Sequence, residues 1–188
     1  MTTTDTMLAA DIDATCRLTG EFTLRSGQVS NEYFDKYLFE ADPQLLARVA
    51  REVAQLLPNE KELLGGLEMG GIPIATAVSQ LIGLPALFIR KKAKEYGTCK
   101  LAEGPVFAGR QVVLIEDVIT TGGAVRDATL ALREAGAIVE YVVCAIDRSP
   151  EGVNPLEDVG LEVRAVLTKA DLDAARAAAT GAPATPSV

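Results

Sequence analysis

The sequence predicts an α/β fold, a central and mainly parallel sheet flanked by helices. Two observations carry this. Short apolar strands alternate with helix-period segments between residues 62 and 168, which implies right-handed crossovers in one sheet. The strands are apolar nearly throughout, as in VVLI at 112–115 and YVVCAI at 141–146, and such strands are covered on both faces.

The elements follow in order. Residues 6–18 suit a short helix with Gly20 as its stop, and EFTLRSGQVSNEYFDKYLFE reads as two short strands around a turn. Asp42 before Pro43 is a helix start, and Leu45, Leu46, Val49, Val53, Leu56 and Leu57 give one apolar face to about residue 57. The core alternation comes next: ELLGGLEM as strand, GGIPIATAVSQLIG as helix, PALFIRK as strand, QVVLIED as strand, GGAVRDATLALREAG as helix and AIVEYVVCAID as strand. LEVRAVLT and a helix near LDAARAAA finish a single domain of residues 1–179, with about 1–40 as a separate N-terminal segment and 180–188 as a disordered tail. Residues 92–109 form a long polar connection, the length of a lid or binding loop.

Composition narrows the function. With 188 residues, one domain buries roughly 70% of the surface its unfolded chain exposes. The balance of 18 basic and 26 acidic residues, net −8, argues against nucleic-acid or membrane-surface binding. The start has no signal-peptide pattern and no stretch matches a membrane span, so a cytoplasmic protein is expected. Three scattered cysteines fit reduced thiols. There is no histidine at all, which removes histidine-based nucleophilic and acid–base catalysis.

The chemistry concentrates in VVLIEDVITTGGAV, residues 112–125. A buried strand delivers Glu116 and Asp117 to the carboxyl edge of the sheet, where ligands bind. The segment Val118, Ile119, Thr120, Thr121, Gly122 and Gly123 then leads into a helix near Ala124. Backbone amides, hydroxyl donors and the helix dipole there converge on an anion. Two carboxylates beside a phosphate cradle would repel it unless they serve ribose hydroxyls or a cation, so a phosphorylated sugar satisfies the whole motif. No nucleoside-triphosphate loop or dinucleotide fingerprint is present.

This stretch resembles the phosphoribosyl pyrophosphate motif of the type I phosphoribosyltransferases, and three further segments resemble the orotate-using family in particular. FTLRSGQVSNEYFDKYLF, residues 22–39, is similar to the hood that covers orotate; the likeness gives Arg25 to phosphoribosyl pyrophosphate and Tyr33 and Phe34 to the pyrimidine. FIRKKAKEYGTCK, residues 88–100, gathers five cations and is similar to the flexible catalytic loop. By that likeness Arg90, Lys91 and Lys94 contact pyrophosphate, and residues 90–108 close over the neighbouring subunit of a homodimer. Tyr96 stands where many members carry histidine, and a tyrosine hydroxyl can still donate to a phosphate oxygen. CAIDRSPEG, residues 144–152, places Arg148 where the family arginine pairs with orotate, with Thr120 also beside the base. GGLEMGGIPIATAV, residues 65–78, is similar to the pyrophosphate loop, with Gly70 and Gly71 where some members have lysine, so backbone amides would hold the phosphates.

The resemblance spans about residues 22–168. It implies the type I phosphoribosyltransferase fold and transfer of ribose 5-phosphate from phosphoribosyl pyrophosphate to orotate. It also implies Lys94, Arg90 and Asp117 as catalytic, and Mg²⁺ held mainly through the pyrophosphate with no direct protein ligand. The alternatives are a phosphoribosyltransferase for another base and a non-catalytic phosphoribosyl pyrophosphate sensor of the same fold.

Overall fold

The computed structural model describes residues 6–23, 27–91 and 101–180. Eight strands, β1 (Arg17–Thr23), β2 (Val29–Phe34), β3 (Leu63–Leu67), β4 (Ala86–Ile89), β5 (Ala102–Glu103), β6 (Gln111–Ile119), β7 (Ile138–Asp147) and β8 (Glu162–Thr168), form two sheets. β1 and β2 pair antiparallel by themselves, and the other six lie in the order β5-β4-β3-β6-β7-β8. Every pairing in the larger sheet is parallel except β4 with β5. The α/β reading is therefore correct, and β5 is a short edge strand missed within the long connection.

Among the described residues six α-helices accompany the strands: α1 (Thr6–Cys16), α2 (Tyr37–Ala41), α3 (Pro43–Leu56), α4 (Gly71–Ile82), α5 (Gly123–Glu134) and α6 (Lys169–Thr180). The two-residue alternation of strand side chains divides the core. Val113 and Ile115 of β6, with Val143 and Ala145 of β7, pack into one apolar cluster with Leu8, Val49 and Ile74. Val112, Leu114, Val142 and Cys144 face the opposite way, against Val125 and Leu132 of α5. Each fully buried aliphatic side chain contributes about 1.5–3 kcal/mol.

The α3 start is as the sequence indicates: Asp42 Oδ1 accepts from the amides of Gln44 and Leu45 at 2.8 and 3.0 Å. Its far end is closed by Arg164, whose guanidinium donates to the Leu56 carbonyl at 2.8 Å.

Two local expectations fail. Gly20 does not stop the first helix; α1 ends at Cys16, and Gly20 lies inside β1. Arg17 and Leu18 are drawn into strand by pairing with Phe34 and Tyr33. The Arg17 side chain also reaches Asp13 at 2.6 Å and Glu32 at 3.2 Å. The segment YLFEA is the helix α2 and not the end of a strand, because Asp35 turns the chain. Its carboxylate accepts from the Tyr37 amide at 3.1 Å, and its carbonyl accepts from the Leu38 amide at 3.2 Å.

Arg176 of α6 donates to Glu32 of β2 at 2.9 Å, so the last helix holds the hairpin. Successive crossovers diverge at the centre of the large sheet. From β3 the chain goes through α4 to β4 on one side, and from β6 through α5 to β7 on the other. That divergence opens a crevice at the carboxyl ends of β3 and β6.

Candidate active site

A cavity of about 950 Å³ fills that crevice. β6 is longer than the apolar run suggests and continues to Ile119, so Glu116 and Asp117 lie within the strand and not past its end. They still reach the cavity because β3 last pairs at Gly66 with Ile115, leaving β6 flanked beyond that point only by β7. Both carboxylates are buried, with Asp117 wholly covered.

The turn after β6 is shaped by Gly122, which has φ +70° and would bring a Cβ within 2.8 Å of Leu156. Arg126 fixes the first turn of α5 by donating to the Pro155 carbonyl at 2.6 Å and to Asp158 at 2.8 Å. No side chain caps the N-terminus of α5, so its first amides are left to an incoming anion. Thr120 and Thr121 stand exposed beside them.

Of the residues singled out in sequence, Glu116, Asp117, Val118, Ile119, Thr120, Thr121, Gly122, Gly123, Ala124, Arg90 and Lys91 all line this one cavity. Gly70 and Gly71 lie behind its wall, where α4 comes against β6. A Cβ on Gly71 would run into the Ile115 carbonyl, and one on Gly70 would overlap Asp117 Oδ2 and come within 2.8 Å of Glu40 Oε1. Arg148 and Phe34 are brought together, the guanidinium 5.7 Å from the ring centroid. Tyr33 packs on Phe22 at 5.5 Å. These three stand apart from the cavity lining, although the Arg148 amide donates to the Ile119 carbonyl at 2.8 Å and so ties Arg148 to the end of β6. Arg25, Lys94 and Tyr96 lie outside the described residues.

Sequence reasoning missed Lys36 and Glu40, which come from the hood segment. Lys36 Nζ forms an ion pair with Asp117 Oδ2, and Glu40 is buried nearby. Glu40 Oε1 is buried without a hydrogen-bond donor among the described residues. The one signal for Lys36 was the acidic pair itself, since two buried carboxylates call for a cation.

Charge is unevenly shared. Burial raises Glu116 well above the ordinary carboxyl range, and the hydrogen bond and charge of Asp117 add to it. Burial and then Asp117 push Glu40 up to about 8. Burial would raise Asp117 too, but hydrogen bonds from Glu116 and Lys36 and the Lys36 charge outweigh it and hold Asp117 below its usual value. One ionised carboxylate thus stands among two protonated ones, able to accept from hydroxyl groups.

At the rim, the Lys91 amide donates to Glu68 at 3.0 Å, and Arg90 lies 3.9 Å from Glu103. Among the described residues no cluster of three or more acidic, cysteine or histidine side chains could hold a metal by itself. No helix among them is long and apolar enough to cross a membrane.

Comparison with known proteins gives the arrangement a context. A family model described as phosphoribosyl transferase domain matches residues 39–163. An orotate phosphoribosyltransferase from Nocardioides sp. is 77% identical over 176 residues, covering 94% of this chain and 98% of that protein. The crystal structure of Mycobacterium tuberculosis orotate phosphoribosyltransferase with Fe(III) dicitrate superposes with a TM-score of 0.79 at 32% identity, over 89% of this chain and 97% of that one. The same enzyme solved with 5-phospho-α-D-ribosyl 1-diphosphate gives a TM-score of 0.74 at 29% identity, with the same coverage.

Proposed function

The chain belongs to the orotate phosphoribosyltransferase family, and from that premise we propose how its cavity works. The protein is a pentosyltransferase of pyrimidine biosynthesis that transfers ribose 5-phosphate from phosphoribosyl pyrophosphate to orotate. The products are orotidine 5′-monophosphate and pyrophosphate. One observation supports the site assignment above all: Asp117, the open turn at 118–123 and the uncapped start of α5 follow one another along one cavity wall.

The 5′-phosphate sits against the amides of residues 120–124 and the hydroxyls of Thr120 and Thr121, where the helix dipole favours it. Asp117, with Glu116 beside it, accepts from the ribose hydroxyls. The orotate nitrogen attacks the anomeric carbon as the bond to the pyrophosphate oxygen breaks, and that oxygen leaves with the electron pair. The attacking orotate nitrogen gives up its proton to water or to the departing pyrophosphate as the bond forms, and pyrophosphate leaves as a stable anion, so the step asks for no histidine. The ionised Asp117 is close to the sugar that gains positive charge, an electrostatic aid to the transition state.

Arg90 and Lys91, at the rim, face the departing pyrophosphate. Lys94, Tyr96 and Arg25 are assigned there by family resemblance, with residues 90–108 closing over the neighbouring subunit of a homodimer. Tyr33, Phe34 and Arg148 take the base: a guanidinium stacked on Phe34 suits the carboxylate and carbonyl oxygens of orotate. The residues fit magnesium delivered on the pyrophosphate. No described acidic cluster forms a cage of its own, and Arg90 and Lys91 line the cavity that takes the pyrophosphate. When bound, the ion neutralises charge on the leaving group. A cytoplasmic setting fits the free thiols Cys16 and Cys144.

The test is to mix the protein with orotate, phosphoribosyl pyrophosphate and Mg²⁺ and resolve the products chromatographically. Orotidine 5′-monophosphate and pyrophosphate should form in equal amounts. Hydrolysis of phosphoribosyl pyrophosphate without base transfer would contradict the reading.

A further inference from the structure

Three buried carboxyl groups and one cation meet at the floor of the cavity. Asp117 and Glu116 come from β6, Glu40 from α2, and Lys36 from the residue before α2. Asp117 Oδ2 and Glu40 Oε1 both face the Cα of Gly70, the space a side chain there would fill. Glu116 turns back to accept from the Asp117 amide at 3.0 Å, and Asp117 Oδ1 accepts from the Val118 amide at 2.5 Å.

Lys36 is the cation set against this group. Its side chain is 34% exposed, into the cavity that it lines, and its ammonium lies 5.3 Å from the Tyr37 ring centroid. The other charged or titratable groups nearby are Asp35 before α2, Tyr37, Cys144 across from Glu116 on β7, and Glu68, Asp127, Arg90 and Lys91 at the rim. Of the two rim cations, Arg90 lies against Glu103, and among the described residues Lys36 is the cation within ion-pair distance of the buried carboxyls.

In a site this buried, three carboxyls cannot all ionise beside one ammonium. Position then decides which of them carries the charge. Among the described residues, Asp117 is the carboxylate within ion-pair distance of Lys36. The protonation pattern agrees: burial depresses Lys36, yet Asp117 and Glu116 more than compensate and hold the ammonium above its ordinary value.

We propose that Lys36 is a positioning residue for the sugar, selecting Asp117 among the three buried carboxyls as the ionised acceptor that faces the ribose hydroxyls. Without Lys36, Asp117 and Glu40 share the remaining proton, and the acceptor is present only part of the time at neutral pH. This rests on the reading that the cavity takes phosphoribosyl pyrophosphate.

The experiment measures phosphoribosyl pyrophosphate binding by calorimetry, with KM and kcat, from pH 6 to pH 9.5 for the wild type and for Lys36→Met, Lys36→Arg and the double variant Lys36→Met with Glu40→Gln. Loss of an adjacent opposite charge shifts a carboxylate upward by about 1–3 pH units. The acid limb of kcat/KM for phosphoribosyl pyrophosphate should therefore move up by that amount in Lys36→Met, with affinity at pH 6 falling by up to about sevenfold and recovering as pH rises past 7. Arginine should restore most of it. Adding Glu40→Gln should also recover part of the loss, because glutamine cannot compete for the charge. Where Lys36→Met does not fold, Lys36→Gln carries the same measurement. A loss equal at every pH, or one left unchanged by Glu40→Gln, would overturn the proposal and make Lys36 a direct substrate contact or a structural residue. A wild-type protein that does not bind phosphoribosyl pyrophosphate would instead overturn the functional reading itself.

Discussion

Adding one methyl group at Gly70 would force it into Asp117 and crowd Glu40. Gly70→Ala should therefore cost about 1–3 kcal/mol in denaturant unfolding, as overpacking does, and should weaken phosphoribosyl pyrophosphate binding by turning Asp117 aside. Calorimetric titration of the purified variant checks the second effect, and unchanged affinity would separate Gly70 from the site. The same residue marks the limit of what the sequence told. Glu116, Asp117, Thr120 and Gly122 were legible because their covalent order already arranges them along strand, turn and helix. Lys36 and Glu40 were not, because they reach Asp117 only through tertiary packing of the hood segment, and the sequence around them read as strand.

Elements were readable where a local chemical signal ends them. Asp42 before Pro43 is such a signal, and the two amides that Asp42 accepts from account for it. Asp42→Ala should lower stability by about 1 kcal/mol, measured by urea unfolding, while kcat per folded molecule stays at the wild-type level because α3 packs away from the cavity. Elements failed where partners at a distance decide. Gly20 looks like a helix stop but is held in β1 by the pairing of its neighbours with β2. β5 has two residues and no periodicity of its own; it exists because Phe88 and Ile89 of β4 pair with Glu103 and Ala102. The core strands β3, β6 and β7 were all found, since a nearly continuous apolar run needs no partner to be recognised.

Across the whole molecule, the buried carboxyls couple folding to pH. Glu40 titrates near 8 in the folded protein and near the ordinary carboxyl value, 4.5, when unfolded. Between those values the folded state holds the extra proton, so this group's contribution to stability is full below about 4.5 and is lost as pH rises through about 8. Asp117, held low in the fold, acts in the opposite sense, its contribution present above its unfolded value of 3.8 and lost at lower pH. Glu40→Gln should flatten the decline in melting temperature between pH 5 and pH 8, read by thermal unfolding across buffers; an unchanged slope would mean that Glu40 is ionised in the fold.

The central claim is that this cavity joins phosphoribosyl pyrophosphate to orotate and to no other base. The direct measurement gives the protein phosphoribosyl pyrophosphate, Mg²⁺ and equal amounts of orotate, uracil and adenine, and follows each base by chromatography with ultraviolet detection. The account predicts that orotate alone disappears, at a rate that requires the metal. Consumption of uracil or adenine in place of orotate, or of no base while phosphoribosyl pyrophosphate still binds, would contradict it.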